Sequence, residues 1–313
     1  RDRIVAAVIV LCVWGTGTAL TRIEWTVPRG APIRAALVQG AVPQSMKWAA
    51  DQRAHTMQLY ADLMVPHLGA DVIVWPESAI PALEANVRPY LAQVSALANE
   101  NGSSLLMGLL RRDAATGSYY NSVAAWSLEQ PVQWYDKRRL VPFGEFFPVP
   151  QAVREWLRLM NLPYSDFQPG RADPAPLRAA GETFAPTVCY EDAYGSEQLG
   201  LVRKSSLLVN VTNDAWFGDS TAPHQHLDIS RMRALESGRA MLRATNDGVT
   251  ALIGHDGSLL GTLPQFQPGV LTGDVQPRSG LTPYVRFGNW PILAVLWLGL
   301  AVMAVSYRRN TRR

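Results

Sequence analysis

Cysteine is nearly absent from this chain. Among 313 residues only Cys12 and Cys189 carry a thiol, which leaves no zinc-type spacing and no disulfide framework. Charge of one sign is missing too. The 29 Lys and Arg against 26 Asp and Glu leave a net charge of +3, too mild to argue for a nucleic-acid partner. No internal repeat and no low-complexity tract interrupts the chain. His224 and His226 with Asp228 are the nearest approach to a metal set. Residues at i and i+2 do not share a helix face, and no further ligands accompany them, so neither a metal nor a cofactor is called for.

What is present is a 48% hydrophobic composition, ample for one large domain or two ordinary ones. Two apolar runs stand at the ends, residues 4–20 and 290–305, with no charged residue inside either. At about 1.5 Å per residue each is marginally long enough to cross a bilayer. A buried core helix is the plainer reading of either run. The first also resembles a secretory signal, with small residues from Gly15 to Ala19. Membrane is favoured because both runs are terminal and both carry Arg on the outer side. The positive-inside tendency then puts both ends in the cytoplasm and residues 25–288 on the opposite side. Cys12 sits within the first run, so Cys189 has no accessible partner there. A lone thiol kept in an oxidising compartment points to chemical use. The chain does not begin with Met and is expected to be part of something longer.

Between the runs, strands are predicted at residues 34–39, 72–75, 104–109, 120–128, 132–135, 184–190, 206–211, 249–253 and 270–275. Helices are predicted at 47–66, 87–100, 196–203 and 225–241, with a short one near 153–160 inside the Pro- and Gly-rich segment 141–182. A turn is expected at Glu129-Gln130-Pro131. Alternation of strand and helix makes the class α/β.

Three of these strands end on a reactive group. Trp75-Pro76-Glu77-Ser78 offers a carboxylate, Asp136-Lys137-Arg138-Arg139 an ammonium, and Thr187-Val188-Cys189-Tyr190-Glu191 a thiol. Ligands of α/β sheets bind at the carboxyl ends of strands. A thiol attacks as thiolate and needs a base; the oxyanion it creates needs a fixed positive charge or N–H donors. Glu77, Cys189 and Lys137 supply the parts for acyl transfer through a thioester. The plainer alternative is a core cysteine, an exposed lysine and a strand-end carboxylate paired with an arginine.

On these motifs, with Lys137 to Glu145 and Asn213-Asp214-Ala215-Trp216-Phe217-Gly218, the chain resembles the nitrilase-type carbon–nitrogen hydrolase superfamily. Within it, the bacterial apolipoprotein N-acyltransferase family is the narrower resemblance. The likeness covers about residues 30–276 and the final apolar run. It implies an α-β-β-α sandwich flanked by two transmembrane helices. The parts would be a helix at 1–22, a catalytic domain at 30–276, a second helix at 289–306 and a basic cytoplasmic tail at 307–313. Family members carry more membrane helices than the two seen here, so the chain is expected to be a C-terminal portion.

The resemblance further implies transfer of an acyl chain from a phospholipid, typically phosphatidylethanolamine, to the α-amine of a lipoprotein's diacylglyceryl-cysteine. The place would be the bacterial inner membrane, with the catalytic domain periplasmic. Glu77 would be the general base, Cys189 the nucleophile, and Lys137 with the backbone N–H of Tyr190 the oxyanion donors. Glu145 is expected to orient Lys137 or Glu77. Glu191 is either a supporting partner or a solvated carboxylate. Trp75, Trp216 and Phe217 are candidates to line an acyl-chain pocket or form a lid, each with an ordinary core role as the alternative. Asn121 is expected to be structural. Phe143, Phe146, Phe147, Leu157, Leu159, Met160, Leu162 and Tyr164 form an apolar cluster suited to a membrane surface or to a cap over the site. Two other functions fit the triad: a membrane-tethered amidase acting on a small amide, and an inactive scaffold domain.

Overall fold

The computed structural model describes residues 2–49, 51–128, 130–146, 148–149 and 167–310. Helix α1 (Asp2–Leu20) leads into strands β1 (Thr26–Pro28) and β2 (Ile33–Gln39). Helices α2 (Gln44–Lys47) and α3 (Arg53–Met64), strand β3 (Val72–Trp75), helix α4 (Arg88–Glu100) and strands β4 (Ser104–Arg112), β5 (Tyr119–Ser127) and β6 (Gln130–Asp136) follow. The second half holds β7 (Leu177–Ala179), β8 (Glu182–Val188), α5 (Gly195–Val202), β9 (Leu207–Thr212), α6 (Ala222–Ser237), β10 (Met241–Thr245), β11 (Ala251–Ile253) and β12 (Leu259–Thr262). The chain closes with β13 (Gly269–Val275), β14 (Arg278–Gly280), α7 (Pro283–Phe287) and α8 (Trp290–Asn310).

Two six-stranded sheets face each other, ordered β13-β2-β3-β4-β5-β6 and β12-β11-β10-β9-β8-β7. Each has a parallel centre, β2-β3-β4 and β8-β9-β10, flanked by antiparallel strands. The period of two in each strand sorts its side chains. In β3, Val72 and Val74 enter the core between the sheets. Ile73 and Trp75 enter a second core under α3 and α4. Helix α3 meets it with Thr56, Tyr60 and Met64, and α4 with Leu91, Val94 and Ala98, stripes of helical spacing. Helices α5 and α6 cover the outer face of the second sheet. The expected α-β-β-α sandwich is present.

Helices α1 and α8 each contain a stretch, Arg3–Leu20 and Trp290–Arg308, long and apolar enough to cross a membrane, and neither is buried against the protein.

Several elements differ from the sequence reading. The helix expected over 47–66 is two pieces, α2 and α3, because Trp48 turns after the first and Asp51 and Gln52 turn before the second. The helix expected over 225–241 stops at Ser237, where Gly238 takes the left-handed conformation (φ 62°). A Cβ on Gly238 would also meet Thr26 Cγ2 at 2.7 Å. Met241 then opens β10, a central strand that the buried Arg243 disguises in the sequence. Strands β1, β7, β12 and β14 are too short or too polar to show a period. The strand expected over 184–190 ends at Val188, and Cys189–Ala193 is a 3-10 turn. The helix near 153–160, Glu129 of the expected turn, and Phe147, Leu157, Leu159, Met160, Leu162 and Tyr164 lie outside the described residues.

Candidate active site

Three strand ends converge on one point. Strand β3 gives way at Pro76 to Glu77 and Ser78, β6 to Lys137, and β8 to Cys189. Ser78 and Cys189 adopt φ of 47° and 55°, left-handed values that non-glycine residues rarely hold. The chain therefore turns sharply at both motifs and delivers Glu77 and Cys189 over the strand ends.

Lys137 is wholly buried, and its Nζ lies 2.9 Å from Glu145 Oε1 and 3.7 Å from Glu77 Oε1. Asn121, on β5, donates its amide nitrogen to Glu77 Oε1 at 2.7 Å and to Glu145 Oε1 at 2.8 Å. The other Glu145 oxygen accepts from the Val141 N–H at 2.8 Å. Glu145 thus bonds Lys137 directly and shares a donor with Glu77. Burial favours the neutral amine of Lys137, but Glu77, Glu145 and Cys189 outweigh it and raise its pKa above the ordinary lysine value.

Cys189 rests as a thiol. Burial, then Glu77, pushes its pKa up to about 12; Lys137 opposes, Asp214 adds to the rise, and the Thr212 side chain favours the thiolate through a hydrogen bond. Such a cysteine reacts only where a base removes its proton, and Glu77 is the carboxylate felt most strongly there.

Glu191 is fully enclosed, not solvated. Its Oε2 accepts from the Val188 N–H (2.8 Å) and the Tyr135 hydroxyl (3.0 Å). Its Oε1 accepts from the N–H groups of Arg138 (2.7 Å) and Arg139 (3.1 Å). One carboxylate therefore ties the cysteine turn to the lysine motif. Burial raises its pKa against the pull of these donors and of Lys137. Tyr190 donates its hydroxyl to Leu140 O at 2.8 Å, and Lys137 Nζ lies 5.6 Å from its ring centroid.

Behind the cysteine turn lies a buried polar network. His226 is clasped between Asp214 (2.9 Å) and Asp192 (3.1 Å). Arg243 donates to Asp214 Oδ2, Ser230 Oγ and Asn210 Oδ1, each at 2.8 Å. Asn210 donates to Cys189 O at 3.0 Å. His226 is thus committed to two carboxylates, while His224 and Asp228 are exposed.

The aromatic candidates separate. Trp75 is wholly buried in the outer core, its ring 5.0 Å from that of Tyr60, and presents no surface to a ligand. The alternation of β3 sends it away from the sheet interface that Val74 enters. Trp216 and Phe217, on the turn Asp214–Phe217, are 72% and 50% exposed. Phe143, in the lysine motif, is also largely exposed.

The sequence profile of the carbon–nitrogen hydrolase family matches residues 34–284, the whole two-sheet body. The chain belongs to the carbon–nitrogen hydrolase family. It is 44% identical over 98% of its length to the apolipoprotein N-acyltransferase of Azotobacter vinelandii and 43% identical over 96% to that of Nitrosomonas europaea. It spans 60% and 61% of those two proteins. Among solved structures of the family fold, an amidase from Nesterenkonia sp. superposes with a TM-score of 0.60 at 20% identity, covering 88% of this chain and 99% of the amidase. A CN-hydrolase superfamily protein from Xanthomonas campestris gives 0.59 at 17% identity, covering 85% of this chain and 97% of its own.

Two residues of this family member's site escaped the sequence reading. Asn121, expected to be structural, bridges the two carboxylates. Lys47 belongs to no motif, yet it is fully buried and donates to Glu77 O at 3.1 Å. Its one sequence signal is a lysine flanked by Met46 and Trp48.

Proposed function

We propose that this chain is the catalytic part of an apolipoprotein N-acyltransferase, moving an acyl chain from a phospholipid to the α-amine of a lipoprotein's diacylglyceryl-cysteine. The observation that carries the reading is the buried Glu77–Lys137–Glu145 cluster, in which the charges of Glu77 and Lys137 act on a thiol whose own pKa burial pushes up to about 12. The relatives bearing that enzyme name support it, as do the exposed Trp216 and Phe217 on the turn that begins at Asp214 and the exposed Phe143 in the lysine motif.

The residues act in sequence. Glu77 takes the proton of Cys189, and the thiolate attacks an ester carbonyl of the phospholipid. Lys137 and the Tyr190 N–H hold the resulting oxyanion. Glu77 returns the proton to the departing lysophospholipid oxygen, leaving an acyl thioester. The acceptor amine then attacks; Glu77 takes its proton and passes it to the released sulfur. Glu145 and Asn121 keep Glu77 and Lys137 oriented, and Glu191 holds the cysteine turn. Transfer to an amine demands that water be kept from the thioester, a task suited to Trp216, Phe217 and the donor's own chain.

Helices α1 and α8 would cross the bacterial inner membrane with both chain ends cytoplasmic, the domain between them standing on the periplasmic face. Phosphatidylethanolamine is the expected donor and the diacylglyceryl-prolipoprotein the acceptor.

The test is an acyl adduct. The full-length protein is incubated with phosphatidylethanolamine vesicles and its mass is measured intact. An adduct on Cys189 that amine discharges faster than water is expected. Discharge by water at the same rate overturns the reading in favour of an amidase, and no adduct overturns it outright.

A further inference from the structure

Helix α2 is built inside out. Met46 and the adjoining Trp48 are 44% and 40% exposed, while Lys47 between them is 1% exposed. Burying an ammonium is costly, and an apolar-out, charge-in arrangement contradicts every local preference. The segment is held in this pose from the second sheet. Ala41 N–H donates to Asn246 O at 2.6 Å, the Asn246 side chain donates to Val42 O at 2.8 Å, and Gln44 Oε1 accepts from Asn213 at 3.0 Å. Asn213 in turn accepts from Asn246 at 3.0 Å.

The ammonium has three hydrogens to donate. Among the described residues one goes to Glu77 O, at 3.1 Å. The titratable groups that bear on Lys47 are Glu77 and Cys189. Lys137, Glu145 and Asp214 stand around those two. Without Lys47, the two carboxylates of the cluster face the single ammonium of Lys137. With it, two carboxylates face two ammonium groups.

We infer that Lys47 is a second cation of this site, a positioning residue that anchors the main chain of Glu77 and supplies positive charge that stabilises the Cys189 thiolate. The inference rests on the reading of Glu77 as base and Cys189 as nucleophile. Burial lowers the Lys47 pKa to about 8, against the pull of Glu77 and Cys189, so the charge is present at neutral pH and fades above that value.

The experiment follows alkylation of Cys189 by iodoacetamide in the full-length protein across pH 6 to 10, read by peptide mass. Lys47→Gln keeps a donor for Glu77 O and removes the charge; Lys47→Arg keeps the charge. At pH 7, Lys47→Gln is expected to react about tenfold more slowly than wild type, one pKa unit of lost stabilisation. The gap should close as pH rises through about 8. Lys47→Arg should stay near the wild-type rate. Should Lys47→Gln not fold, Lys47→Met is read the same way. Equal rates for wild type and the uncharged variant at pH 7 overturn the inference, as does a pH-independent gap. Failure of the acyl-adduct test would sink the transferase reading separately, because alkylation reads the thiol without any lipid.

Discussion

Gly108 lies against Glu77. A Cβ at position 108 would stand 2.6 Å from Glu77 Cα and 2.5 Å from Pro76 O. Strand β4 can therefore pass beneath the Pro76–Glu77 turn only with hydrogen at that place.

Gly108→Ala should push the Glu77 turn off its strand. Overpacking of this kind costs about 1–3 kcal/mol. A displacement of about 1 Å of the proposed base costs on the order of a hundredfold in rate. Steady-state acyl transfer should show kcat falling far more than thermal stability does. A variant with wild-type kcat would refute the close approach.

Asn121→Ala removes the donor common to Glu77 and Glu145. Both carboxylates remain beside Lys137, so the fold should hold while Glu77, the proposed base, loses its orientation. Expected is a drop in kcat of roughly ten- to a hundredfold with KM little changed. A change confined to KM would show that Asn121 acts on substrate binding instead.

Glu191→Gln keeps the volume of a buried side chain but sets an amide nitrogen where the carboxylate accepts from four donors. A buried donor facing donors is left unsatisfied at a cost of about 1–3 kcal/mol. The melting temperature should drop, and Cys189 alkylation should lose its dependence on Lys137 as the two turns separate. An unchanged melting temperature would show the tie to be dispensable.

His226 predicts the alkaline limit of stability. Burial and Arg243 lower its pKa, but Asp192 and Asp214 win and raise it to about 9. A raised folded-state pKa stabilises fully below the unfolded value, about 6.5, and that contribution is lost as pH rises through about 9. Wild type should lose on the order of a few degrees of melting temperature between pH 7 and pH 10. His226→Gln should start lower and change less over that interval. Parallel curves for the two proteins would exclude the clasped imidazolium.

Local pattern made much of this legible. The α/β alternation, the strand ends bearing Glu77, Lys137 and Cys189, and the two apolar terminal helices all follow from residues adjacent in sequence. The end of α6 is hidden in the sequence because apolar residues continue past Gly238 into β10. The motif around Trp75 suggests a place at the site or in the core, and strand alternation commits it to the outer core.

By itself, the sequence determined which reactive groups exist and that each ends a strand, because strand period and turn residues act over a few positions. Only the tertiary structure decided that Lys47 arrives beneath Glu77, that Asn121 serves two carboxylates, and that Glu191 joins two motifs 50 residues apart or more. Coulomb attraction and hydrogen bonding depend on distance through space, and strand pairing, not spacing along the chain, sets that distance.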